Sequence, residues 1–181
     1  MLVHAAAGGV GLLLTQIVKL RGGRVIATTS TPEKAELATA AGADHVIGYD
    51  DFSDQARELA GGAGVAVVFD GIGQATFDGS LAALRPRGYM VLYGAASGQV
   101  DPVAVTRLHH GGSLYLTRPG LPNYTANRHE LLYRATEVFG WIADGRLDVR
   151  IGARYPLAEA RRAQEDLAAR KTTGKVLLLP N

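Results

Sequence analysis

The chain has 181 residues, of which 47% are hydrophobic and 20% are charged, and its formal net charge at pH 7 is +2. This composition is that of a globular protein with a sizeable core, and so small a net charge argues against nucleic-acid binding. The absence of cysteine excludes a disulfide framework, a thiolate nucleophile and a cysteine-based zinc site. No apolar stretch is long enough to span a bilayer and no secretory leader is evident, so the expected location is cytoplasmic.

A glycine-rich turn follows the first apolar segment. The run from Leu2 to Leu13 predicts a short strand, a turn and an apolar helix, with Ala6, Gly8 and Gly11 in the spacing A-x-G-x-x-G. In the related fingerprint G-x-G-x-x-G, the second glycine admits a pyrophosphate and the third permits close packing of helix on strand. Backbone N–H groups at the start of such a helix favour an anion. The same residues are also compatible with a tight turn that binds no ligand, so a dinucleotide site and a simple turn both remain possible at this point.

The segment from Arg24 to Thr28 predicts a second strand, at the distance from the turn that a βαβ unit requires. NAD enzymes place an acid at the end of this strand for the ribose 2′-hydroxyl. Here hydroxyl residues follow the strand, with no carboxylate until Glu33, and Lys34 comes next. Hydroxyls and an ammonium group would bind a 2′-phosphate, which favours NADP(H) over NAD(H). The segment is also an ordinary helix start, with Thr31 as N-cap and a proline after it.

Strand and helix patterns continue to alternate up to about residue 120. Helices are predicted over Pro32–Ala41, over Phe52–Leu59 and up to Leu84, and strands over His45–Ile47, Val65–Asp70, Tyr89–Tyr93 and Ser113–Leu116. This rhythm predicts an α/β fold with a doubly wound parallel sheet of the Rossmann type, whose ligands bind beyond the carboxyl ends of the strands. Asp70, at one of those ends, is expected to cap the following turn or to orient a ribose.

The last third of the chain has a different pattern. It predicts a long amphipathic helix over Asn127–Ala143 that ends at Gly145, a charged helix over Ala158–Arg170 and a last strand over Lys175–Leu179. We therefore expect a dinucleotide-binding domain over residues 1–120, and a long helix with a C-terminal tail over residues 121–181.

Several stretches form one ordered pattern: His4–Gly11, Val46–Tyr49, Val68–Gly73, Gly112–Pro119, Tyr155–Leu157 and Gly174–Pro180. Taken together, they resemble the quinone oxidoreductase (zeta-crystallin-like) branch of the medium-chain dehydrogenase/reductase superfamily. The resemblance covers essentially the whole chain but only the second half of a family member. It implies that an N-terminal GroES-like domain, which forms one wall of the substrate cleft, is absent here. The tail from Ile151 to Asn181 is then expected to lack part of its packing partner.

The resemblance implies NADPH-dependent, zinc-independent hydride transfer to quinones or other electron-poor enones. The alternatives are an enoyl reductase of the same superfamily and a non-catalytic nucleotide- or RNA-binding module. The isolated chain is expected to be weakly active or inactive, because both walls of the cleft hold the acceptor at hydride-transfer distance.

The resemblance also implies roles for individual residues. Arg118 takes a catalytic position close to the reacting end of the cofactor. The cofactor contacts at the pyrophosphate are Gly8, Gly9 and Val10, and the neighbouring Ala7 and Gly11 also belong to the cofactor site. The further contacts are Ser30, Lys34 and Tyr49 at the 2′-phosphate, Tyr93 and Gly94 on the nicotinamide side, and Arg170 near the cofactor. The family often has glycine where Ser30 stands, so this pocket is expected to be slightly tighter.

Two further expectations concern metals and partners. The adjacent His109 and His110 would point in different directions on a helix or strand, so no metal site is expected. The segment from Gly112 to Leu116 is expected to be an apolar edge strand, through which two sheets would join in a homodimer. The resemblance implies the same pairing.

Overall fold

The computed structural model describes residues 1–180, and Asn181, the last residue of the expected tail, lies outside the described residues. The strands are β1 (Leu2–Val3), β2 (Ile26–Thr28), β3 (His45–Ile47), β4 (Val65–Asp70), β5 (Leu84–Leu92), β6 (Tyr115–Thr117), β7 (Ile151–Pro156) and β8 (Lys175–Leu179). The helices are α1 (Gly9–Leu20), α2 (Pro32–Ala40), α3 (Phe52–Leu59), α4 (Phe77–Ala83), α5 (Val105–His110), α6 (Leu121–Tyr124), α7 (Arg128–Ala143) and α8 (Ala160–Ala168).

Six strands form one parallel sheet in the order β3-β2-β1-β4-β5-β6. The chain first builds outward from β1 to β3, and then returns to the other side of β1 to add β4, β5 and β6. This reversal beside β1 is the doubly wound arrangement of a Rossmann fold. The prediction of an α/β fold with such a sheet is therefore confirmed.

Apolar side chains cover both faces of this sheet. On one face, Leu2, Val68 and Met90 pack with residues of α3 and α4, and on the other, Val3 and Val25 pack with residues of α1 and α2. All five of these side chains are fully buried. Burial on both faces explains why these strands read as continuous apolar runs rather than as an alternating pattern.

Side-chain caps begin two helices: Thr31 is the N-cap of α2, as predicted, and Asn127 is the N-cap of α7 rather than its first residue. The hydroxyl of Thr31 accepts a hydrogen bond from the Lys34 N–H at the start of α2, and the side chain of Asn127 accepts one from the Glu130 N–H at the start of α7. Gly145, just beyond α7, has a φ of +70°, as expected for a residue that ends a helix.

Several predicted boundaries are wrong. Strand β5 starts at Leu84 rather than Tyr89, because it already pairs with Val65 of β4 ahead of an irregularity in register. Strand β6 starts at Tyr115 rather than Ser113, because Ser113 has a φ of +58° and the Leu114 N–H still bonds to the end of α5.

The C-terminal segment forms a second, two-stranded parallel sheet of β7 and β8. The sequence does not predict β7, because glycine and arginine interrupt its small set of apolar residues. The predicted helix over Ala158–Arg170 is shorter than expected: a 3₁₀ turn over Leu157–Glu159 precedes α8, which ends at Ala168. Among residues 1–180, no helix combines the length and the apolar character that crossing a membrane requires.

Candidate functional site

A cavity of about 230 Å³ opens beyond the carboxyl ends of β1 and β2, and we call it the strand-end pocket. Three parts of the chain line it: the turn after β1, the ends of neighbouring strands, and the end of α8 with its following loop. The lining residues are Ala5, Ala7, Gly8, Gly9, Thr29, Ser30, Lys34, Tyr49, Ile72, Ala96, Leu167, Arg170, Thr172 and Gly174. A larger groove of about 470 Å³ lies between α1, α2 and the loop before β7, away from the strand ends where this fold binds ligands.

Backbone contacts hold the turn after β1 in shape. Ala5 has a left-handed φ of +49°, and its carbonyl oxygen accepts a hydrogen bond from the Gly8 N–H at 2.9 Å. A methyl group added at Gly11 would lie 2.6 Å from Cα of Ala6, so only glycine lets α1 start this close to β1. The turn therefore presents the N-terminal end of α1, with its N–H groups and positive dipole end, to the pocket.

Ser30 and Lys34 form a polar wall of the pocket at the end of β2. The Lys34 ammonium donates to Ser30 Oγ at 3.4 Å and to the carbonyl oxygen of Arg170 at 2.8 Å. An ammonium group has three donors, so one remains for a ligand. No carboxylate is among the described residues that line the pocket, and the wall therefore favours an anion.

Tyr49 joins the pocket from just beyond β3. Its hydroxyl accepts a hydrogen bond from the Ala5 N–H at 3.1 Å, so it contacts the glycine-rich turn directly. Its ring stacks on the buried ring of His4, with the two centroids 6.1 Å apart. Tyr49 is thus fixed at both ends, by the turn at its hydroxyl and by His4 at its ring.

The C-terminal tail supplies the third part of the pocket. Gly174 bridges to Gly8 in parallel fashion, and its N–H donates to the Ala7 carbonyl oxygen at 3.0 Å. A methyl group added at Gly9 would lie 2.9 Å from the Gly174 carbonyl oxygen, so the tail and the turn are in close contact. Arg170, with a φ of +59°, carries the carbonyl that Lys34 binds. One wall of the pocket therefore depends on a segment far from the glycine motif in sequence.

A buried polar network lies beneath the pocket. Asp70 is fully buried, and its carboxylate accepts hydrogen bonds from the N–H groups of Ile72 at 2.7 Å and Gly73 at 3.0 Å. The hydroxyls of Thr76 and Ser80 donate to the same carboxylate, each at 2.8 Å. The expectation that Asp70 caps the following turn is confirmed.

The strand-end pocket brings together seven of the residues that the resemblance assigns to the cofactor: Ala7, Gly8, Gly9, Ser30, Lys34, Tyr49 and Arg170. Five other predicted site residues do not line this pocket: Val10, Gly11, Tyr93, Gly94 and Arg118. The ring of Tyr93 packs against Gly71, and burial raises the pKa of this phenol to about 12. Arg118 is exposed and donates to the Leu92 carbonyl oxygen at 3.2 Å, beyond the end of β5.

Three further lining residues, Thr29, Ile72 and Ala96, lie in segments that the sequence predicts as strand ends where a ligand binds. Sequence reasoning missed the remaining ones, namely Ala5, Leu167, Thr172 and Gly174. Thr29 directly follows β2, and Ile72 lies two residues beyond the end of β4, which agrees with the rule that ligands bind at strand ends. Leu167 and Thr172 carry no such signal, because their place in the pocket depends on how the tail folds back onto the turn.

A comparison with known protein families decides the family. The family model described as zinc-binding dehydrogenase matches residues 9–124, which is more than half of the chain. The chain belongs to this family. Within this family, the chain corresponds to the C-terminal half of a protein of the quinone oxidoreductase branch.

Individual known proteins are similar over nearly the whole chain. Quinone oxidoreductase 1 of Escherichia coli is 44% identical over an alignment of 183 residues. The alignment covers 99% of this chain and 56% of that protein. The 2-haloacrylate reductase of a Burkholderia species is 43% identical, covering 99% of this chain and 55% of that protein. A solved structure of a mycobacterial protein complexed with NADPH is 54% identical, with a TM-score of 0.95 over 98% of this chain and 57% of that one. The chain thus spans about half the length of these relatives.

The family's name implies zinc, and the residues present do not offer a ligand set for it. Among residues 1–180, no three His, Cys, Asp or Glu side chains come together in a way that could hold a metal ion. The rings of the adjacent His109 and His110 are tilted by 55° to each other. Structural and catalytic zinc sites take at least three protein ligands, so we assign no step to a metal.

Proposed function

We propose that the strand-end pocket binds the adenosine 2′-phosphate end of NADPH. The observation that carries this proposal is the polar wall of Ser30 and Lys34, joined by Arg170, in a pocket that no described carboxylate lines. Hydroxyl and ammonium donors bind a phosphate through charge-assisted hydrogen bonds, whereas an acid at the end of β2 would select the 2′-hydroxyl of NADH. The mycobacterial structure complexed with NADPH supports the proposal, because its match covers 98% of this chain.

The size of the cavity fits one end of a dinucleotide. Its volume of about 230 Å³ is below the roughly 300–1,000 Å³ of pockets that enclose a whole drug-sized ligand. In this proposal, the pyrophosphate binds along the turn from Ala7 to Gly11, at the N-terminal end of α1. The nicotinamide side lies toward Tyr93 and Gly94, which follow β5.

We further propose that the chain supplies the cofactor-binding part of an enzyme that reduces quinones or other electron-poor conjugated acceptors. Bound NADPH would supply the hydride. The chain is nearly equally identical to a quinone oxidoreductase and to a 2-haloacrylate reductase. Quinones and haloacrylates share a conjugated, electron-poor double bond, which supports an acceptor of that class. By itself, the chain is expected to be weakly active or inactive, because positioning the acceptor needs a second wall.

In this reaction, the residues beyond β5 and β6 hold and stabilise the acceptor. The guanidinium of Arg118 donates one hydrogen bond to the Leu92 carbonyl oxygen. Its other N–H groups can donate to the substrate oxygen on which negative charge develops during hydride transfer. Tyr93 is a neutral phenol near pH 7, and burial, which raises its pKa from 10 to about 12, disfavours its charged form further. It therefore contributes shape and a hydrogen-bond donor rather than charge.

The test of the cofactor assignment is a titration of the chain with NADPH and, separately, with NADH. We expect NADPH to bind more tightly, and Lys34→Ala to weaken NADPH binding by about tenfold to a hundredfold through the loss of a charge-assisted hydrogen bond. The same substitution should leave NADH affinity unchanged.

Lys171→Ala is the matched control, because it removes the same charge from a residue next to Arg170 that does not line the pocket. Lys171 forms an exposed ion pair with Asp166, at 3.4 Å. Its loss should change neither affinity by more than about twofold. Equal affinity of the unmodified chain for NADPH and NADH would overturn the assignment.

We also propose that two copies of the chain join through β6 in a homodimer. This strand lies at the edge of the six-stranded sheet, so its outer N–H and C=O groups have no strand to pair with in one copy. Sedimentation velocity tests the proposal, with Tyr115→Lys placing a charge on an exposed position of the edge strand. A dimer is expected for the unmodified chain and a monomer for the variant.

A further inference from the structure

His4 is fully buried directly before the glycine-rich turn, and the proposed cofactor contacts do not use it. Both of its ring nitrogens are in hydrogen bonds with hydroxyl groups. Nδ1 lies 2.9 Å from Thr28 Oγ1, at the end of β2, and Nε2 lies 2.9 Å from Ser80 Oγ, on α4. A buried imidazole with two partners on two different elements has one fixed orientation.

The direction of these hydrogen bonds follows from Asp70. A carboxylate only accepts, so the single proton of the Ser80 hydroxyl is given to Asp70. Ser80 must then accept from His4, which places the ring proton on Nε2. Nδ1 is left as an acceptor for the hydroxyl of Thr28. A neutral ring satisfies every partner, and burial lowers the pKa of His4 to about 4, which keeps the ring neutral near pH 7.

The faces and edges of the same ring contact the aromatic residues beside the pocket. Tyr49 stacks on His4 with an angle of 16° between the ring planes, and Phe52 meets it edge-on with centroids 4.8 Å apart. Tyr49 in turn accepts the hydrogen bond from the Ala5 N–H, in the turn. The position of the Tyr49 wall therefore depends on where His4 lies.

His4 also connects this wall to another side of the pocket. Ser80 accepts a hydrogen bond from Nε2 of His4 and donates one to the Asp70 carboxylate. Asp70 in turn accepts a hydrogen bond of 2.7 Å from the N–H of Ile72, which lines the pocket. One buried ring thus joins two walls that come from different strands.

We infer that His4 is a positioning residue that holds Tyr49 and the turn in the geometry that prefers a 2′-phosphate over a 2′-hydroxyl. This inference rests on the proposed function of the pocket. It assigns to His4 no contact with the cofactor, and its effect on binding passes through Tyr49 and Ala5.

The test compares NADPH and NADH affinities of the full chain for His4→Leu and His4→Gln. His4→Leu fills the space without hydrogen bonds and should lower the ratio of NADPH to NADH affinity by about fivefold, the effect of about one hydrogen bond. His4→Gln keeps an amide donor for Ser80 and should hold the ratio within about twofold of the unmodified chain. Combining His4→Leu with Tyr49→Phe should lower the ratio little further, because the two residues act in one chain of contacts.

The affinity ratio separates positioning from mere structural support. A purely structural defect would reduce the folded fraction, and so weaken both cofactors equally, with the ratio unchanged; that result in His4→Leu would overturn the inference. If His4→Leu does not fold, Thr28→Val removes the donor to Nδ1 at nearly constant volume, and an unchanged ratio there would also overturn it.

The experiment also distinguishes a failure of this inference from a failure of the proposed function. If the unmodified chain shows no preference for NADPH, the proposed function and the inference both fall. If the unmodified chain prefers NADPH, Lys34→Ala abolishes the preference and His4→Leu keeps it, the pocket stands and only the role of His4 is wrong.

Discussion

The strand-end pocket joins two regions that differ in how they are held together. The turn after β1 stands on a sheet whose side chains Leu2, Val3 and Val68 are fully buried. The tail, over residues 151–179, has a two-stranded sheet in which no strand residue is fully covered, and Leu178 and Leu179 are 38% and 46% exposed. The first region is fixed by apolar packing on both faces, and the second has little core of its own.

Polar contacts hold the tail where packing does not. The Tyr155 hydroxyl donates to Asp166 at 3.0 Å, and the backbone of Gly174 is bridged to the turn. Such partly exposed polar contacts stabilise less than buried apolar groups. Substitutions in the turn should therefore change the stability of the whole protein, whereas substitutions at the contact between turn and tail should mainly change ligand binding.

The largest effect is expected from Gly11→Val. The added side chain would meet the backbone of Ala5 and Ala6, which cannot move without displacing β1. We expect the free energy of unfolding to fall by more than about 3 kcal/mol, measured by urea denaturation. Gly140→Ala is the control, because a methyl group there meets no atom within 4 Å and lies in α7. A stability loss in the control as large as in Gly11→Val would contradict the account.

The next effect is the pH dependence of stability that His4 confers. Burial lowers the pKa of folded His4 from 6.5 to about 4, so between these values the unfolded chain binds a proton that the folded chain does not. Stability should therefore fall as pH drops from 6.5 to 4, by about 3 kcal/mol. Urea unfolding across this range measures it, and His4→Gln should remove most of the slope.

Carboxylates contribute mainly at the acidic end of this range. The pKa of Glu33 is lowered from 4.5, mainly by its hydrogen bond with Thr31, so its contribution begins to be lost there. The pKa of Asp44 is lowered below 3.8, mainly by its hydrogen bond with Lys19, so its contribution is lost only at more acidic pH. An equal slope in the unmodified chain and in His4→Gln would show that other groups cause the loss of stability.

Hydrogen exchange compares the two regions directly. Amides of the tail over residues 151–179 should exchange at least about a hundredfold faster than amides of β1, β2 and β4, because the tail can open without unfolding the sheet. Exchange followed by mass spectrometry on peptides measures the difference. Equal protection of both regions would mean that they unfold as one unit.

The smallest effect on stability is expected from Gly9→Ala. Its methyl group would lie 2.9 Å from the Gly174 carbonyl oxygen and 3.0 Å from Cδ of Lys175, so the tail must move away from the turn. We expect NADPH affinity to fall about tenfold while the free energy of unfolding changes by less than about 1 kcal/mol. Calorimetric titration and urea unfolding measure the two quantities. A large loss of stability with unchanged affinity would reverse the roles given to turn and tail.

The sequence predicts the turn-side half of the site well, for a physical reason. Glycine at position 11, a hydroxyl at 30 and a lysine at 34 act through local geometry, because strand, turn and helix are neighbours in sequence. The other half could not be predicted from local pattern. Leu167 and Thr172 reach the pocket only because β7 and β8 bring the tail back to Gly8, and the sequence of β7 carries a weak strand signal. Arg170 was assigned through the family resemblance alone.

The central claim is that turn and tail together form a 2′-phosphate pocket. The most direct measurement is an NMR titration of the labelled chain with adenosine 2′,5′-bisphosphate and with AMP, which lacks the 2′-phosphate. The account predicts binding of the bisphosphate at least about tenfold tighter, with amide shifts both at Ser30–Lys34 and at Leu167–Gly174. Equal binding of the two nucleotides, or shifts confined to the turn with the tail unaffected, would contradict it.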